Sequence, residues 1–261
     1  NPLSKKMAYL RTSLYPSLIK AAELNIKNSS DSFKLYELAN VHYQTGKKIE
    51  NMNEEVRLTG IVVGNEREDS VHNQKEEFNI FSIKGIIKSL LGENFYNDIS
   101  IIQCDNEIYD YGYRIDSDNK LICSFGKLSK KLFKILKIDF IDIFGFDIII
   151  ENIKGSLYNK TYKKINTLPK ISRRINLVID KKDSIGTLLE LIENKAGEDL
   201  IEYYPVEIFE DKKSIGENKK SIVFEMVFQH KEKTLEDKDV NPIIDEIIDI
   251  AQKKFNAKLR V

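Results

Sequence analysis

The stretch that decides the fold is RRINLVIDKKDSIGTLLELIENKAG, residues 173–197, in which the hydrophobic period changes from two to nearly four. Ile175, Leu177 and Ile179 alternate with other residues, which predicts a strand with one buried face. A helix is predicted next, ending at Gly197, because apolar residues recur at the i, i+3, i+4 and i+7 positions: Ile185, Leu188, Leu189 and Ile192.

The residues that follow repeat this order and complete a recognisable unit. Strands are predicted at 202–210 and 221–229, a helix-starting box at Thr234 and Asp237, and a short strand at 257–261. The order βαββαβ is that of the ferredoxin-like fold, a four-stranded antiparallel sheet with two helices on one face. Because Pro242 lies inside the last helix, we expect either a kink or a short turn before a helix capped by Asn241.

Such a sheet leaves its second face open. The two-residue period assigns the buried face to Ile175, Leu177, Ile179, Val206, Ile208, Ile222, Phe224, Met226, Phe228, Leu259 and Val261. The open face takes Arg174, Asn176, Val178, Glu207, Phe209, Ser221, Val223, Glu225, Lys258 and Arg260. An aromatic ring beside hydroxyl and charged groups suits single-stranded bases, whose stacking contributes ~1–3 kcal/mol per base. The alternative is that this face is only solvated or packs on a neighbour.

Composition limits the classes of protein that the chain can belong to. Its 261 residues predict about two domains, and 41 Lys plus Arg balance 41 Asp plus Glu. A protein that binds nucleic acid or anionic membrane mainly through long-range charge would be basic. No apolar run is long enough to span a bilayer. Cys104 and Cys123 are expected to be reduced thiols, with a disulfide as the alternative, and the three histidines form no zinc motif.

The first part of the chain is expected to mix short strands and helices. A helix is predicted at 80–91, where Gly92 ends a run of isoleucines and leucines with helical spacing. The polar, aperiodic residues near 152–167 are the best linker candidate. We therefore predict an α+β protein with a first domain at 1–153, a linker at 154–163 and a second domain at 164–261. Because the chain opens at Asn1, with Met7 its first methionine, we expect a piece of a longer protein.

An ordered set of short motifs resembles the β subunit of bacterial-type phenylalanine–tRNA ligase. The motifs are Asn1-Pro-Leu-Ser4, Leu10-Arg-Thr-Ser-Leu14, Leu35-Tyr-Glu-Leu-Ala39, Phe78-Asn-Ile-Phe-Ser-Ile-Lys-Gly85, Phe144-Gly-Phe-Asp147, Leu168-Pro-Lys-Ile-Ser-Arg-Arg174 and Thr234-Leu-Glu-Asp237. The resemblance implies a class II synthetase-like antiparallel sheet domain that has lost its chemistry, followed by a ferredoxin-fold anticodon-binding domain. It also implies a cytoplasmic (αβ)₂ enzyme that uses ATP and magnesium to charge tRNA(Phe) with phenylalanine in the α subunit.

The resemblance places Arg11 on the strand whose arginine binds ATP in class II enzymes, where a guanidinium can hold phosphate with two hydrogen bonds. A class II core also needs a second arginine near its end, and residues 143–151 contain none. Asp147 and Glu151 would repel a triphosphate there. We therefore expect a structural hydrogen bond or a subunit contact for Arg11, and no catalytic residue, no metal site and no cofactor in this chain.

The resemblance further implies four RNA-binding residues in the second domain. Phe209 would stack on an unpaired anticodon base, and Glu207 would accept from N1–H and N2–H₂ of guanine. Ser221 would bond a base edge or the backbone, and Arg173 would meet a phosphate. Arg174 stands where the family usually has Asp, so no role is carried over to it.

Three functions from different classes compete at this stage. The chain is either a non-catalytic piece of the tRNA ligase β subunit or a free-standing ferredoxin-like module that binds a ligand or dimerises without a tRNA role. The third hypothesis is an independent class II-like enzyme. The absence of a second arginine from residues 143–151 argues against it. Titration with an anticodon stem-loop separates the first two.

Overall fold

The computed structural model describes residues 10–46, 52–92, 99–153 and 165–260. The chain divides into two units, Asn1–Lys160 and Thr161–Val261. The predicted linker at 154–163 lies outside the described residues, as do the motif at 1–4 and Met7. None of the helices in the described ranges is long and apolar enough to cross a membrane.

The first unit is built on a six-stranded antiparallel sheet with the strand order β1-β2-β8-β7-β6-β5. These strands are β1 (Phe33–Gln44), β2 (Met52–Val63), β5 (Ser100–Cys104), β6 (Tyr109–Ser117), β7 (Lys120–Leu128) and β8 (Ile143–Ile149). Residues 64–77 are charged and without periodicity, which predicts a loop, but part of this segment forms a two-stranded ribbon of β3 (Asn65–Arg67) and β4 (Glu76–Glu77). The helices are α1 (Tyr15–Lys27), α2 (Ile80–Leu91) and α3 (Lys130–Leu136), with a 3₁₀ turn at Ile150–Asn152.

Each face of this sheet carries a buried cluster, since successive residues of β2 enter different clusters. Val62 packs with α2 residues such as Ile83 and Ile87, whereas Ile61 packs with α1 residues such as Tyr15. Helix α2 matches the predicted bounds because its ends carry strong local signals. The Asn79 side chain accepts from the Phe81 and Ser82 amides at the start, and Gly92, with φ +81°, follows the last turn.

The second unit has the predicted βαββαβ order. Its elements are β9 (Ile171–Asp180), α4 (Ile185–Ala196), β10 (Leu200–Phe209), β11 (Lys219–Phe228), α5 (Asp237–Phe255) and β12 (Lys258–Leu259). The strands pair antiparallel in the order β10-β11-β9-β12, so β9 and β11 are the central strands and β10 and β12 the edges. The core lies between this sheet and both helices and includes Ile175, Leu177, Ile222, Phe224, Met226, Leu188, Ile192, Val240 and Ile247. The predicted α+β class and ferredoxin-like topology are confirmed.

Three residues assigned to the buried face are exposed instead. Val206, Ile208 and Leu259 have 44%, 51% and 45% of their surface accessible. They lie on β10 and β12, the two edge strands, where the helices that cover β9 and β11 give less protection. The prediction was wrong for Ile208 and Leu259 because alternation identifies a face but does not show how far the helices extend over it. Val206 differs, because the register of β10 shifts there and leaves it without a directly opposed residue. Val261 lies outside the described residues.

The last helix also differs from its predicted start. Helix α5 runs without interruption through Pro242, so the alternative in which Asn241 caps a later helix is wrong. The N-cap is Glu236, not Thr234, and Glu236 and Asp239 each accept from the other's backbone amide. Proline at this position removes one backbone donor near the start of a 19-residue helix, which the remaining hydrogen bonds outweigh.

Candidate nucleic-acid interface

The strand register of the second unit gathers three of the four predicted RNA-binding residues. Phe209 on β10 pairs with Ser221 on β11, and Glu207 pairs with Val223. Val223 in turn pairs with Asn176 on β9. Because residues directly opposite one another share a face, all five side chains lie on the face away from α4 and α5.

A bulge in β10 determines which side chains reach this face. The register shifts between Pro205, opposite Phe224, and Glu207, opposite Val223, which leaves Val206 without a directly opposed partner. One inserted residue moves every later side chain to the other face. Without the bulge, Glu207 and Phe209 would point toward the helices. The bulge lies in an edge strand and directly follows Pro205, a residue that sheets accept at edges and bulges because it has no N–H for the ladder.

These side chains surround a shallow cavity of about 210 Å³. Its lining residues are Asn176, Glu207, Phe209, Ser221, Val223 and Arg260. Phe209 is 40% exposed, and the Arg260 guanidinium carbon lies 5.3 Å from the centre of its ring. The Arg260 amide donates to the Asn176 carbonyl at 2.8 Å, which fixes the end of the chain against β9. An aromatic plane, a cation and a carboxylate therefore border one opening.

Ser221 forms part of the floor of this cavity. It is 2% exposed, and its hydroxyl lies 2.6 Å from Asn176 Oδ1, to which it donates. That bond uses the only proton of the hydroxyl but leaves its lone pairs, and it leaves the two N–H donors of the Asn176 amide. Ser221 can therefore accept from a ligand directly, and it also orients Asn176.

Arg173 is not brought to the cavity. It lies on the same face of β9 as the buried Ile175, the face toward the helices. Its guanidinium forms an ion pair with Asp237 at the start of α5. Its Nη1 also donates to the Ser172 carbonyl at 2.9 Å. The neighbouring Arg174 lies on the open face, where it forms an ion pair with Glu225. On this part of the open face, the charge of Glu225 is therefore balanced by the Arg174 guanidinium.

The arginine singled out in the first unit makes a structural contact. Arg11 Nη1 donates to Glu37, whose other oxygen accepts from the Ser17 hydroxyl at 2.7 Å. Partial burial acts to raise the pKa of Glu37, but the hydrogen bonds from Arg11 and Ser17 prevail and lower it. The charged carboxylate of Glu37 therefore accepts from the Arg11 guanidinium, whose donors a phosphate would need.

Asp147 on β8 and Glu151 in the 3₁₀ turn after it also bind groups of the first unit. Asp147 accepts from Arg57 and from the Thr59 hydroxyl, each at 2.5 Å, and Glu151 accepts from the Val56 amide at 2.6 Å. Nearby, Tyr15 and Tyr109 join their hydroxyls at 2.8 Å. Burial raises the pKa of Tyr109 far above its ordinary range. Sequence reasoning noted the negative charge of this strand but missed Arg57, which neutralises it from β2.

These residues do not fit ATP and magnesium. The one arginine offered for a phosphate is held by Glu37, and no arginine follows in residues 143–151. Within the described ranges, no three His, Cys, Asp or Glu side chains are grouped as metal ligands would be.

The cavity contains residues that sequence reasoning did not select as a site. Asn176, Val223 and Arg260 were assigned to the open face, but nothing in the sequence singled them out. The alternating pattern of the last strand carried the only signal, because it put Arg260 on the same side as Phe209. Its contact with a residue of the far edge strand depends on side-chain length across two intervening strands, which alternation does not encode.

Comparison with known proteins gives two family matches. Residues 1–149 match the model described as phenylalanyl tRNA synthetase beta chain CLM domain, and residues 166–260 match the ferredoxin-fold anticodon binding domain. The β subunit of phenylalanine–tRNA ligase from Pseudomonas putida is 24% identical over 263 residues, covering 100% of this chain and 32% of the relative. The Bacillus cereus β subunit is 27% identical over 263 residues, with 99% and 32% covered. The chain thus spans about a third of the length of these curated relatives.

Proposed function

Because the chain belongs to the family of phenylalanyl-tRNA synthetase β chains, we propose that its second unit recognises the unpaired anticodon of tRNA(Phe). The first unit would support assembly with the catalytic α subunit. In this proposal the parent enzyme is a cytoplasmic (αβ)₂ assembly that uses ATP and magnesium to charge tRNA(Phe) with phenylalanine. This chain would supply recognition and support, and the α subunit the chemistry.

The observation that carries the proposal is the cavity bordered by Phe209, Glu207 and Arg260. Single-stranded RNA is recognised by splaying its bases onto aromatic rings and guanidinium planes, and by reading their exposed edges. Each requirement has a residue here. The 40% exposed ring of Phe209 offers a plane, and Glu207 offers two acceptor oxygens beside it.

Guanine is the base that this arrangement fits best. Its N1–H and N2–H₂ are neighbouring donors that a single carboxylate can accept, whereas adenine has no proton on N1. With the base stacked on Phe209, the two carboxylate oxygens of Glu207 would accept hydrogen bonds from these N–H groups. Ser221 and Asn176, joined at 2.6 Å on the cavity floor, would bond another edge of the base.

Arg260 would serve the backbone of the RNA. Its guanidinium lies over the Phe209 ring and has to move aside, or to stack on the base, when a base enters. A phosphate beside the base would then accept its hydrogen bonds, since guanidinium groups bind phosphate through paired N–H donors. Arg173 stays a separate proposed contact, because it would meet a phosphate only where RNA passes the start of α5.

Affinity should be modest when this chain acts alone. Over residues 162–261, nineteen Lys plus Arg balance nineteen Asp plus Glu, so long-range attraction to RNA is weak. The salt dependence should be shallow, because few counterions are released. Tethering to other tRNA contacts of the assembly would raise the effective concentration at this site.

A titration of the 261-residue chain with an anticodon stem-loop RNA tests the proposal. Wild type should bind, and Phe209→Ala should bind about 5- to 150-fold more weakly, which corresponds to ~1–3 kcal/mol of stacking. Phe81→Ala is the matched control, because Phe81 lies in the first unit and is 74% exposed. Equal affinities for wild type and Phe209→Ala would leave the free-standing module as the better interpretation. Adenylate formation by the isolated chain would contradict the supporting role of the first unit.

A further inference from the structure

The open face of the second unit extends beyond the cavity to a row formed by Tyr204, Glu225 and Arg174. Tyr204 on β10 pairs with Glu225 on β11, and Glu225 pairs with Arg174 on β9. Tyr204 and Glu207 are three residues apart, yet the bulge after Pro205 puts both on the open face. The sheet therefore presents a second aromatic ring on the same face as Phe209.

Tyr204 and Arg174 of this row are accessible, and hydrogen bonds hold Arg174 against Glu225. Tyr204 is 44% exposed, and 63% of the Arg174 side chain is accessible. Arg174 donates to Glu225 Oε2 from Nε at 2.9 Å and from Nη2 at 2.6 Å, while the Ser172 hydroxyl donates to Oε1 at 2.8 Å. These bonds fix the plane of the guanidinium. Among the described residues, no oxygen accepts from Nη1 of Arg174.

The spacing of the two rings suits a splayed strand. The rows of Phe209 and Tyr204 are separated by the four residues from Ser221 to Glu225 on β11, which is ~13 Å at 3.3 Å per residue. Stacked bases in one strand are only ~3.4 Å apart. Two bases on these rings therefore belong to an unstacked segment of single-stranded RNA, which is the form that sheet platforms bind.

We propose that Tyr204 and Arg174 form a second nucleotide subsite, which takes the base and phosphate of a nucleotide near the one on Phe209. Tyr204 stacks on the base, and Nη1 of Arg174 donates to the phosphate. Glu225 does not repel the RNA strongly, because its charge is balanced by the same guanidinium. This inference rests on the proposed function, since it extends the same single strand across the same sheet.

An abasic scan tests the subsite. Each loop nucleotide of the anticodon stem-loop is replaced in turn by an abasic residue, and each RNA is titrated against wild type, Tyr204→Ala and Phe209→Ala. We expect Tyr204→Ala to weaken binding of the intact RNA at least about fivefold. One loop position should lose its effect in Tyr204→Ala, and a different, nearby position should lose its effect in Phe209→Ala, as coupled pairs do.

Two controls make this experiment specific. Tyr204→Phe keeps the ring and should bind like wild type; a loss as large as that of Tyr204→Ala would exclude stacking. Tyr36→Ala removes a tyrosine of the first unit that is 76% exposed and should bind like wild type. For Arg174→Gln, the slope of log K against log salt should become shallower by about 0.7, the value for one lost contact to a single strand. An unchanged slope would contradict the phosphate contact.

The result also separates the two proposals. If Phe209→Ala weakens binding and Tyr204→Ala does not, the second subsite is wrong and the anticodon site stands. If neither substitution changes the affinity, both proposals are wrong. If both weaken binding but through the same loop nucleotide, Tyr204 belongs to the first site and a separate subsite is excluded.

Discussion

Arg260 and Phe209 come from opposite edges of the four-stranded sheet and meet at 5.3 Å above its two central strands. Phe209 ends β10, and Arg260 follows β12. The side chains of the central strands, including Asn176 and Ser221, form the floor below them. The two side chains thus border a concave site on an otherwise flat sheet face. An aromatic ring can stack on an unpaired base, and a guanidinium can bind its phosphate.

Replacement of Arg260 tests its proposed contact with phosphate. Arg260→Ala should weaken binding of the anticodon stem-loop and make the salt slope shallower by about 0.7, because one phosphate contact is lost. Arg260→Lys should keep the slope but lose part of the affinity, since an ammonium cannot stack or bind phosphate with a planar pair of donors. Isothermal titration at several salt concentrations measures both quantities. A slope unchanged in Arg260→Ala would contradict the contact.

Glu207→Gln should remove discrimination between bases more than it removes affinity. Wild type should bind RNA with guanine at the recognised loop position more tightly than RNA with inosine there, because inosine lacks the 2-amino donor. The expected difference in binding free energy is ~1–3 kcal/mol. In Glu207→Gln the two RNAs should bind alike. Glu202→Gln alters a carboxylate of the same strand that lies outside the cavity, so it should keep the preference for guanine. Discrimination that survives in Glu207→Gln would exclude Glu207 as the reader of guanine.

Gly145→Ala should destabilise the first unit. A Cβ at this position would lie 2.7 Å from a ring carbon of Tyr15 and 3.2 Å from the Gly60 carbonyl oxygen, so helix α1 or the sheet has to shift. Overpacking of this kind costs ~1–3 kcal/mol. Gly85→Ala is the matched control, because nothing lies within 4 Å of its Cβ and alanine favours a helix. Urea denaturation of both variants should move the midpoint in opposite directions.

Alkaline pH should weaken the second unit through Tyr203. Partial burial, followed by the hydrogen bond with Glu193, raises the pKa of Tyr203 to about 12, against about 10 in an unfolded chain. The folded state therefore holds this proton more tightly, so the contribution to stability is present below pH ~10 and is lost as the pH rises toward 12. The free energy of unfolding of Tyr203→Phe should fall less steeply than that of wild type over this range. Parallel curves would contradict the assignment.

Local patterns in the sequence were sufficient for most regular elements of the second unit. The stripe of Ile185, Leu188 and Ile192 and the glycine after it predicted α4 within a residue at its end. Alternation in β11 separated the buried Ile222 and Phe224 from the open-face Ser221, because this central strand has no bulge. The period of two or 3.6 residues reflects burial directly, so it is reliable where a strand or helix is fully covered.

Edge strands and long side chains were harder to predict. The bulge at Val206 changes the face of Tyr204 relative to Glu207, and no local signal other than Pro205 marks it. The ion pair of Arg173 with Asp237 depends on where α5 begins, and the sequence placed the N-cap of this helix at Thr234, two residues before the observed N-cap, Glu236. Arg57 was missed because it neutralises Asp147 from another strand, a contact that only the register of β2 and β8 specifies.

The central claim is that an unpaired anticodon base lies on the ring of Phe209. Nuclear magnetic resonance of the chain with labelled phenylalanine rings measures this contact directly, with the Phe209 signals among the 13 phenylalanines assigned from their absence in Phe209→Leu. On addition of the anticodon stem-loop, ring current from a stacked base should move the Phe209 signals upfield while most other rings stay unchanged. A hairpin that is abasic at the recognised position should bind without this shift. Saturated binding of the intact RNA with unmoved Phe209 signals would contradict the account.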